Sequence, residues 1–304
     1  MHRLCNIVLF LAAALCCSGC NYHKVIEEPS LGEYFRAPSA TSNIYADTVY
    51  EYTPAPGQFI NDPVSNPYGT KTEAAALVWA KERLDEGKFV SLGGFGGYIV
   101  VGFDHSIVNL GGYTFAVYGN AHSGGSEPGI VWVAQDANGN GLPDDIWYEL
   151  RGSDSSDDNT LRNYSVTYYR PAGKGEAVRW SDSEGEEGTI DYLAAYHTQD
   201  SYYPDWITTS SYTLTGTRLK AHNYDQSGDG SYWVNPDYNW GYADNFGGSN
   251  FRIDDAMDAE GKPAGLKYID FIKVQTAVNA KSGWLGELST EVTGFEDLSI
   301  NVKP

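Results

Sequence analysis

Past residue 20 the chain has no cysteine, since all four (Cys5, Cys16, Cys17 and Cys20) fall in the first twenty positions. This excludes a disulfide framework and a thiol nucleophile for everything downstream. Bases are scarce too: 20 Lys and Arg stand against 40 Asp and Glu, a formal net charge of -20. Nucleic acid and anionic lipid surfaces are therefore disfavoured partners. No apolar run is long enough to cross a bilayer, the longest being the stretch from Leu4 to Leu15. Catalytic signatures are equally thin. There is no G-x-S-x-G and no H-E-x-x-H, and the six histidines (2, 23, 105, 122, 197, 222) include no pair at zinc spacing. The expectation is a protein that is not an enzyme, with no catalytic residues to name; a glycosidase, which needs only two carboxylates, is the alternative.

Hydrophobic residues make up 41% of the chain, enough for a sizeable core. With 34 Gly and 23 Tyr against 2 Met, the balance favours short strands and tight turns over a helical bundle. The start reads as an export signal: a basic Arg3, the apolar run, then small residues before Cys20. This predicts a lipoprotein signal peptide over 1–19 with lipidation at Cys20, an ordinary cleaved signal being the alternative. The polar, proline-bearing stretch 20–42 reads as a flexible tether. Residues 43–304 read as a single domain, a mainly β, antiparallel β-sandwich of jelly-roll type with one peripheral α-helix.

The elements are signalled locally. "VYEYTPAPGQF" (49–59) reads as an edge segment because Pro54 and Pro56 cannot donate to a central ladder. Thr70 followed by Glu73 predicts a capping box, with Ala74, Leu77, Val78, Lys81 and Leu84 at helical spacing and Gly87 as the stop. Strands are predicted at "FVSLGGFGGYIVVGF", "YTFAVYG", "GIVWVAQ", "IWYEL", "YSVTYYR", "YTLTGTRL", "NFRIDDAM", "LKYIDFIKVQTAV" and "LSINVK". The glycines at 93, 94, 96 and 97 do not make a dinucleotide loop, because Ile99 occupies the last position of the spacing and a strand follows. In "LKYIDFIKV" simple alternation puts Leu266, Tyr268, Asp270, Ile272 and Val274 on one face. Asp270 then needs partners, since both faces meet protein.

"QDANGNGLPDD" (135–145) carries the sharpest chemical signal. Asp136, Asn138 and Asn140 stand at positions 1, 3 and 5 of a tight loop, with Gly141 at the sharp turn and the Leu142 carbonyl next. Asp144 or Asp145 closes the shell. Hard oxygen donors at alternate positions suit a structural calcium ion between strands, while a metal-free loop of Asx turns is the alternative. Two further stretches, 196–207 and 231–248, concentrate aromatics in Pro- and Gly-bearing loops. Tyr203, Trp206, Trp233, Trp240 and Tyr242, with Asn235, Asn239 and Asn245, are the expected ligand site, if the two loops meet. Core packing of individual rings is the alternative, and His197 and His222 are read as surface histidines in preference to cobalt ligands.

The segments "FVSLGGFGGYIVVGFDHSI", "SEPGIVWVAQDANGNGLPDDIWYELRGS", "NWGYADN" and "IDFIKVQTAVNAKSGWLGELSTEVTGFEDL" together resemble the cell-surface lipoproteins of Gram-negative gut bacteria often labelled "cell surface protein" or PKD-containing. Many of these are encoded with corrinoid uptake systems. The resemblance implies an outer-membrane lipoprotein exposed at the cell surface. Its role would be to capture a cobamide of the vitamin B12 type beside an outer-membrane transporter and that transporter's surface lipoproteins. A glycan-binding module and a structural or adhesive protein are the other readings.

Overall fold

The computed structural model describes residues 31–64 and 70–300; the stretch 1–19 expected to be a signal peptide, and Cys20, lie outside them. In chain order the strands are β1 (Thr48–Thr53), β2 (Val90–Ser91), β3 (Tyr98–Val108), β4 (Phe115–Tyr118), β5 (Gly129–Ala134), β6 (Trp147–Leu150), β7 (Leu161–Tyr169), β8 (Val178–Asp182) and β9 (Glu187–Ile190). They continue with β10 (Ser211–Arg218), β11 (Tyr224–Asp225), β12 (Trp233–Val234), β13 (Asn250–Phe251), β14 (Ala256–Met257), β15 (Tyr268–Thr276), β16 (Glu291–Val292) and β17 (Gly294–Asp297). Among the described residues the one α-helix, α1, spans Glu73–Asp85.

All named strand pairs are antiparallel, and a six-stranded sheet in the order β1-β3-β15-β5-β6-β14 forms the main layer. Opposite it lies a three-stranded sheet, β13-β4-β17. Phe115, Val117, Phe251 and Phe295 from the smaller sheet share one core cluster with Ile99, Val101, Val131, Val133, Ile272 and Val274 from the larger. This is the β-sandwich predicted from the strand pattern, each layer burying the apolar face that it could not leave in water. A four-stranded sheet, β10-β7-β8-β9, covers a second cluster built around Phe95, Tyr164, Val166 and Tyr168. The third cluster, with Ile130, Tyr238, Tyr242 and Leu288, packs elsewhere.

β1 is an edge strand, as its flanking prolines require, and Pro54 follows its last residue. The helix starts two residues later than predicted. Its cap is Thr72, whose hydroxyl accepts the Ala75 N–H at 3.3 Å. The buried face also differs from the expected one: Ala76 and Ala80 are buried while Ala74 and Val78 are exposed. Gly87, at φ +64°, ends the helix. Its N–H bonds Leu84 O and the next N–H bonds Arg83 O, which is a Schellman closure.

Three further expectations give way to local geometry. "NFRIDDAM" is not one strand but β13 and β14 separated by a single turn of 3-10 helix, Ile253–Asp255. Among the described residues the last strand is Gly294–Asp297; the first three residues of "LSINVK", Leu298 to Ile300, are not in a strand, and the rest of it lies outside the described residues. In β15 the register against β3 shifts between Ile269 and Phe271, so alternation breaks at Asp270 and Ile269 joins Ile272 and Val274 in one cluster. On the other face of β15, Lys273 is enclosed by the rings of Trp132 and Trp147, at 4.8 and 4.9 Å from their centroids, and burial lowers its pKa to about 8.

Part of the predicted tether is not free. Phe35 packs edge-on against Tyr268, and the Arg36 N–H donates to Ser106 Oγ while its guanidinium donates to Phe103 O and to Asp270. The described residues from Leu31 onward form one compact unit. The domain therefore begins nearer residue 31 than residue 43.

The glycine run before β3 serves packing. A Cβ on Gly97 would sit 1.8 Å from Leu92 O and 2.4 Å from Ala55 N, because three backbone segments cross there. Gly111, at a comparable turn, faces open space at φ +75°. Gly97→Ala should therefore abolish soluble folding or lower Tm by more than 10 °C, whereas Gly111→Ala should cost about 1 kcal/mol from backbone strain alone. Thermal denaturation of the two variants side by side checks this.

Candidate functional site

The 135–145 loop leaves the end of β5 beside Asp270. Asp270 is buried, and its carboxylate accepts from Ser106 Oγ at 2.6 Å, from Arg36 and from the Asp136 N–H at 2.8 Å. The partners that this buried acid needs are thus the N-terminal segment, β3 and the loop itself. Within the loop, Asp136 accepts the N–H groups of Asn140 and Gly141, and Asn138 and Asn140 accept those of Asn140 and Leu142. Both asparagine amides donate to Asp144, while Asp145 accepts the Ala137 N–H. Gly139 and Gly141 take φ of +74° and +75°, and the ring of Tyr34 lies over Gly139. Asp136, Asn138, Asn140 and Asp144 therefore converge, and Leu142 sits at the turn. Hard oxygens of this kind suit calcium, but each polar side chain just named also has a hydrogen-bond partner within the loop without one, Asn138 and Asn140 closing Asx turns.

The two aromatic loops do not build one site. Trp206 stacks on Tyr52, with centroids 5.8 Å apart, inside the sandwich core. Tyr203 is fully buried in the second cluster, and its hydroxyl donates to Thr209 O. Tyr242 belongs to the third cluster and its hydroxyl accepts the Asp154 N–H. Asn245 closes its own loop, accepting from Tyr238 N and donating to Tyr238 O. Asn235 accepts from Ser282, and the Trp233 ring lies against Gly283. Large rings and short amides in loops suit a ligand face, but here most of them supply core volume and satisfy loop backbone. The half-buried His222 stacks on Tyr238 at 4.0 Å with Nε2 2.9 Å from Asp154, and His197 packs edge-on against Phe59 and Tyr202. Of the eight predicted ligand residues, Trp240 and Asn239 remain exposed.

Trp240 opens onto a groove of about 320 Å³, lined also by Tyr113, Leu150, Arg151, Arg252 and Asp255. The Arg151 guanidinium lies 5.9 Å from the Trp240 centroid and that of Arg252 lies 5.6 Å from Tyr113. One carboxylate spaces them: Asp255 Oδ1 meets Arg151 and Oδ2 meets Arg252, each at 3.2 Å. The short 3-10 turn that interrupts "NFRIDDAM" places Asp255 between the two arginines. The groove thus presents two flat rings, each steadied by a cation, with one net positive charge on an acidic protein. Both Arg side chains keep further N–H donors for a ligand. Tyr113, Arg151, Arg252 and Asp255 were not expected as site residues, and only the i,i+3 spacing of Arg252 and Asp255 hinted at the pairing.

A second feature lies where three of the resemblance-bearing segments cross. Glu127 ("SEPG"), Asp244 ("GYADN") and Glu291 ("LSTEV") bring one carboxylate oxygen each to within 4.8 Å of one another. Asp244 is held at φ +49°, its Oδ1 accepting the N–H groups of Asn120 and Ala121 and its Oδ2 that of Glu291. Gly119 is required beside it, because a Cβ there would meet Asp244 Oδ1 at 2.4 Å. Glu291 also accepts from Ser289 at 2.7 Å. Burial raises the carboxyls of Glu127, Asp244 and Glu291, and their mutual repulsion pushes Glu127 and Asp244 further in the same direction. Nearby, burial lifts Glu287 to about 8. Of the described residues these three are the carboxylate set that could hold a divalent cation; the oxygen chemistry fits calcium or magnesium.

No family model matches the chain, and no curated protein matches it.

The acid cluster has a pH signature. Raised folded-state pKa values mean that the folded protein binds more protons than the unfolded chain above about pH 4. The stability associated with these acids is complete below that pH and is lost as pH rises towards about 8, the value for Glu287. In chelator, Tm should therefore fall between pH 5 and pH 8. Millimolar calcium should restore it at pH 8 and change little at pH 5, where protons already neutralise the cluster. Scanning calorimetry at both pH values, with and without calcium, checks this.

Proposed function

We propose that the protein is a non-enzymatic ligand-capture lipoprotein of the outer membrane, anchored through Cys20 and displayed at the cell surface, whose ligand seats on the Trp240 groove. The observation that carries this reading is the pair of exposed rings, Trp240 and Tyr113, each backed by a guanidinium across a shared Asp255. Flat rings accept the apolar face of a sugar, and the fixed arginine donors suit its hydroxyl or acidic groups. A volume of about 320 Å³ stands at the low end of ligand pockets. It suits one or two sugar units better than a whole corrin macrocycle, so the groove favours a glycan ligand. A cobamide is what the sequence resemblance implies, and the peripheral groups of such a ligand are the part that would reach this groove.

Calcium is proposed as a structural ion, in the 136–145 loop or between Glu127, Asp244 and Glu291. Delivery to an outer-membrane transporter and its lipoproteins follows from the same resemblance and is proposed with it.

Calorimetry against a polysaccharide panel and against cyanocobalamin tests the ligand. We expect saturable glycan binding that Trp240→Ala weakens by about 2 kcal/mol or more, and that Trp233→Ala leaves unchanged because Trp233 packs on Gly283 away from the groove. Saturable cobalamin binding with no glycan binding would replace the glycan by the cobamide. Binding to neither would contradict ligand capture.

A further inference from the structure

A second cavity, of about 270 Å³, lies between the four-stranded sheet and the chain after β15. Its walls are largely apolar, with Phe95, Tyr168, Trp180 and Ile190 on the sheet side. Across from them stands Glu287, 3% exposed, in the "GELSTEV" stretch. One of its oxygens accepts the Gln58 N–H at 2.8 Å, and the other, Oε2, is buried with no partner among the described residues. A buried polar atom in that condition is uncommon in a folded core and calls for an explanation. The base nearest by lining, Lys281, does not supply one, since its ammonium is paired with Asp191 at 2.6 Å. Among the charged neighbours that act on Glu287, Glu291 adds negative potential and the paired Lys281 opposes it with a smaller effect.

An apolar, aromatic-walled cavity with one unpartnered carboxyl oxygen and a negative background has a defined complement. We propose that this cavity binds a small organic cation, a protonated primary amine on an apolar body, with the ammonium on Glu287 Oε2 and the body along Trp180 and Tyr168. The ammonium supplies the donor that Oε2 lacks, and the aromatic faces favour a cation beside them. Desolvation of the Glu287 carboxylate is the cost that such a partner offsets. A carboxylate ligand is excluded by the same field, and a neutral ligand of equal shape gains the apolar contact without the charge pair. The site shares no residue with the Trp240 groove, so it stands or falls independently of the proposed function.

Titration calorimetry of the full-length protein at about pH 8.5, above the value of about 8 to which burial lifts Glu287 so that its carboxylate is available, using benzylamine, benzyl alcohol and benzoate, tests the proposal. Benzylamine should bind saturably, benzyl alcohol at least tenfold more weakly, and benzoate not at all. Glu287→Gln keeps an acceptor for the Gln58 N–H and should erase the preference for the amine over the alcohol. Trp180→Ala should weaken benzylamine at least tenfold and gives an answer should Glu287→Gln fail to fold. Equal affinities for amine and alcohol, a preference that persists in Glu287→Gln, or no benzylamine binding at millimolar concentration would each overturn the proposal.

Discussion

One buried carboxylate joins parts of this fold that are far apart in the chain. Asp270 sits at the register shift of β15, the strand that pairs with both β3 and β5. Its two oxygens take Arg36 from the N-terminal segment, Ser106 from β3 and the first N–H of the 136–145 loop. A buried acid left alone would be strongly unfavourable, and removing any one partner exposes part of that cost. The bulge that turns Asp270 towards these donors also moves Ile269 into the sandwich core. Register, loop placement and N-terminal docking are therefore one structural solution.

The sheet layers were legible in the sequence because strand signals are local: β-branched and aromatic runs between Gly, Asn and Asp. Boundaries and faces were less so. A capping box at Thr70 and a cap at Thr72 differ by two residues, and only packing of Ala76 and Ala80 on the core chooses between them. The bulge at Asp270 cannot be read from alternation, since it is set by which N–H groups reach the carboxylate.

For the site, sequence reasoning recognised the right kinds of residue and assigned several of them to the wrong surroundings. Trp206, Tyr203 and Tyr242 look identical in sequence to ligand-facing rings, but the two loops run to different core clusters. Trp240 is exposed while Tyr242, two residues on, turns into the third cluster. The acids Glu127, Asp244, Glu287 and Glu291 drew no attention singly among 40. Their signal was the segments they share, and only the crossing of β16 with the 119–129 and 239–245 stretches reveals them as a group.

Asp270 holds the 136–145 loop and the 31–42 segment together while the sandwich stands on its apolar core. Hydrogen exchange on wild type and Asp270→Ala tests it most directly. The account predicts that protection is lost in the amides of the loop and of the segment around Arg36, with protection in β4, β5 and β17 retained. Unchanged protection in those two stretches, or uniform loss across both sheets, would contradict it.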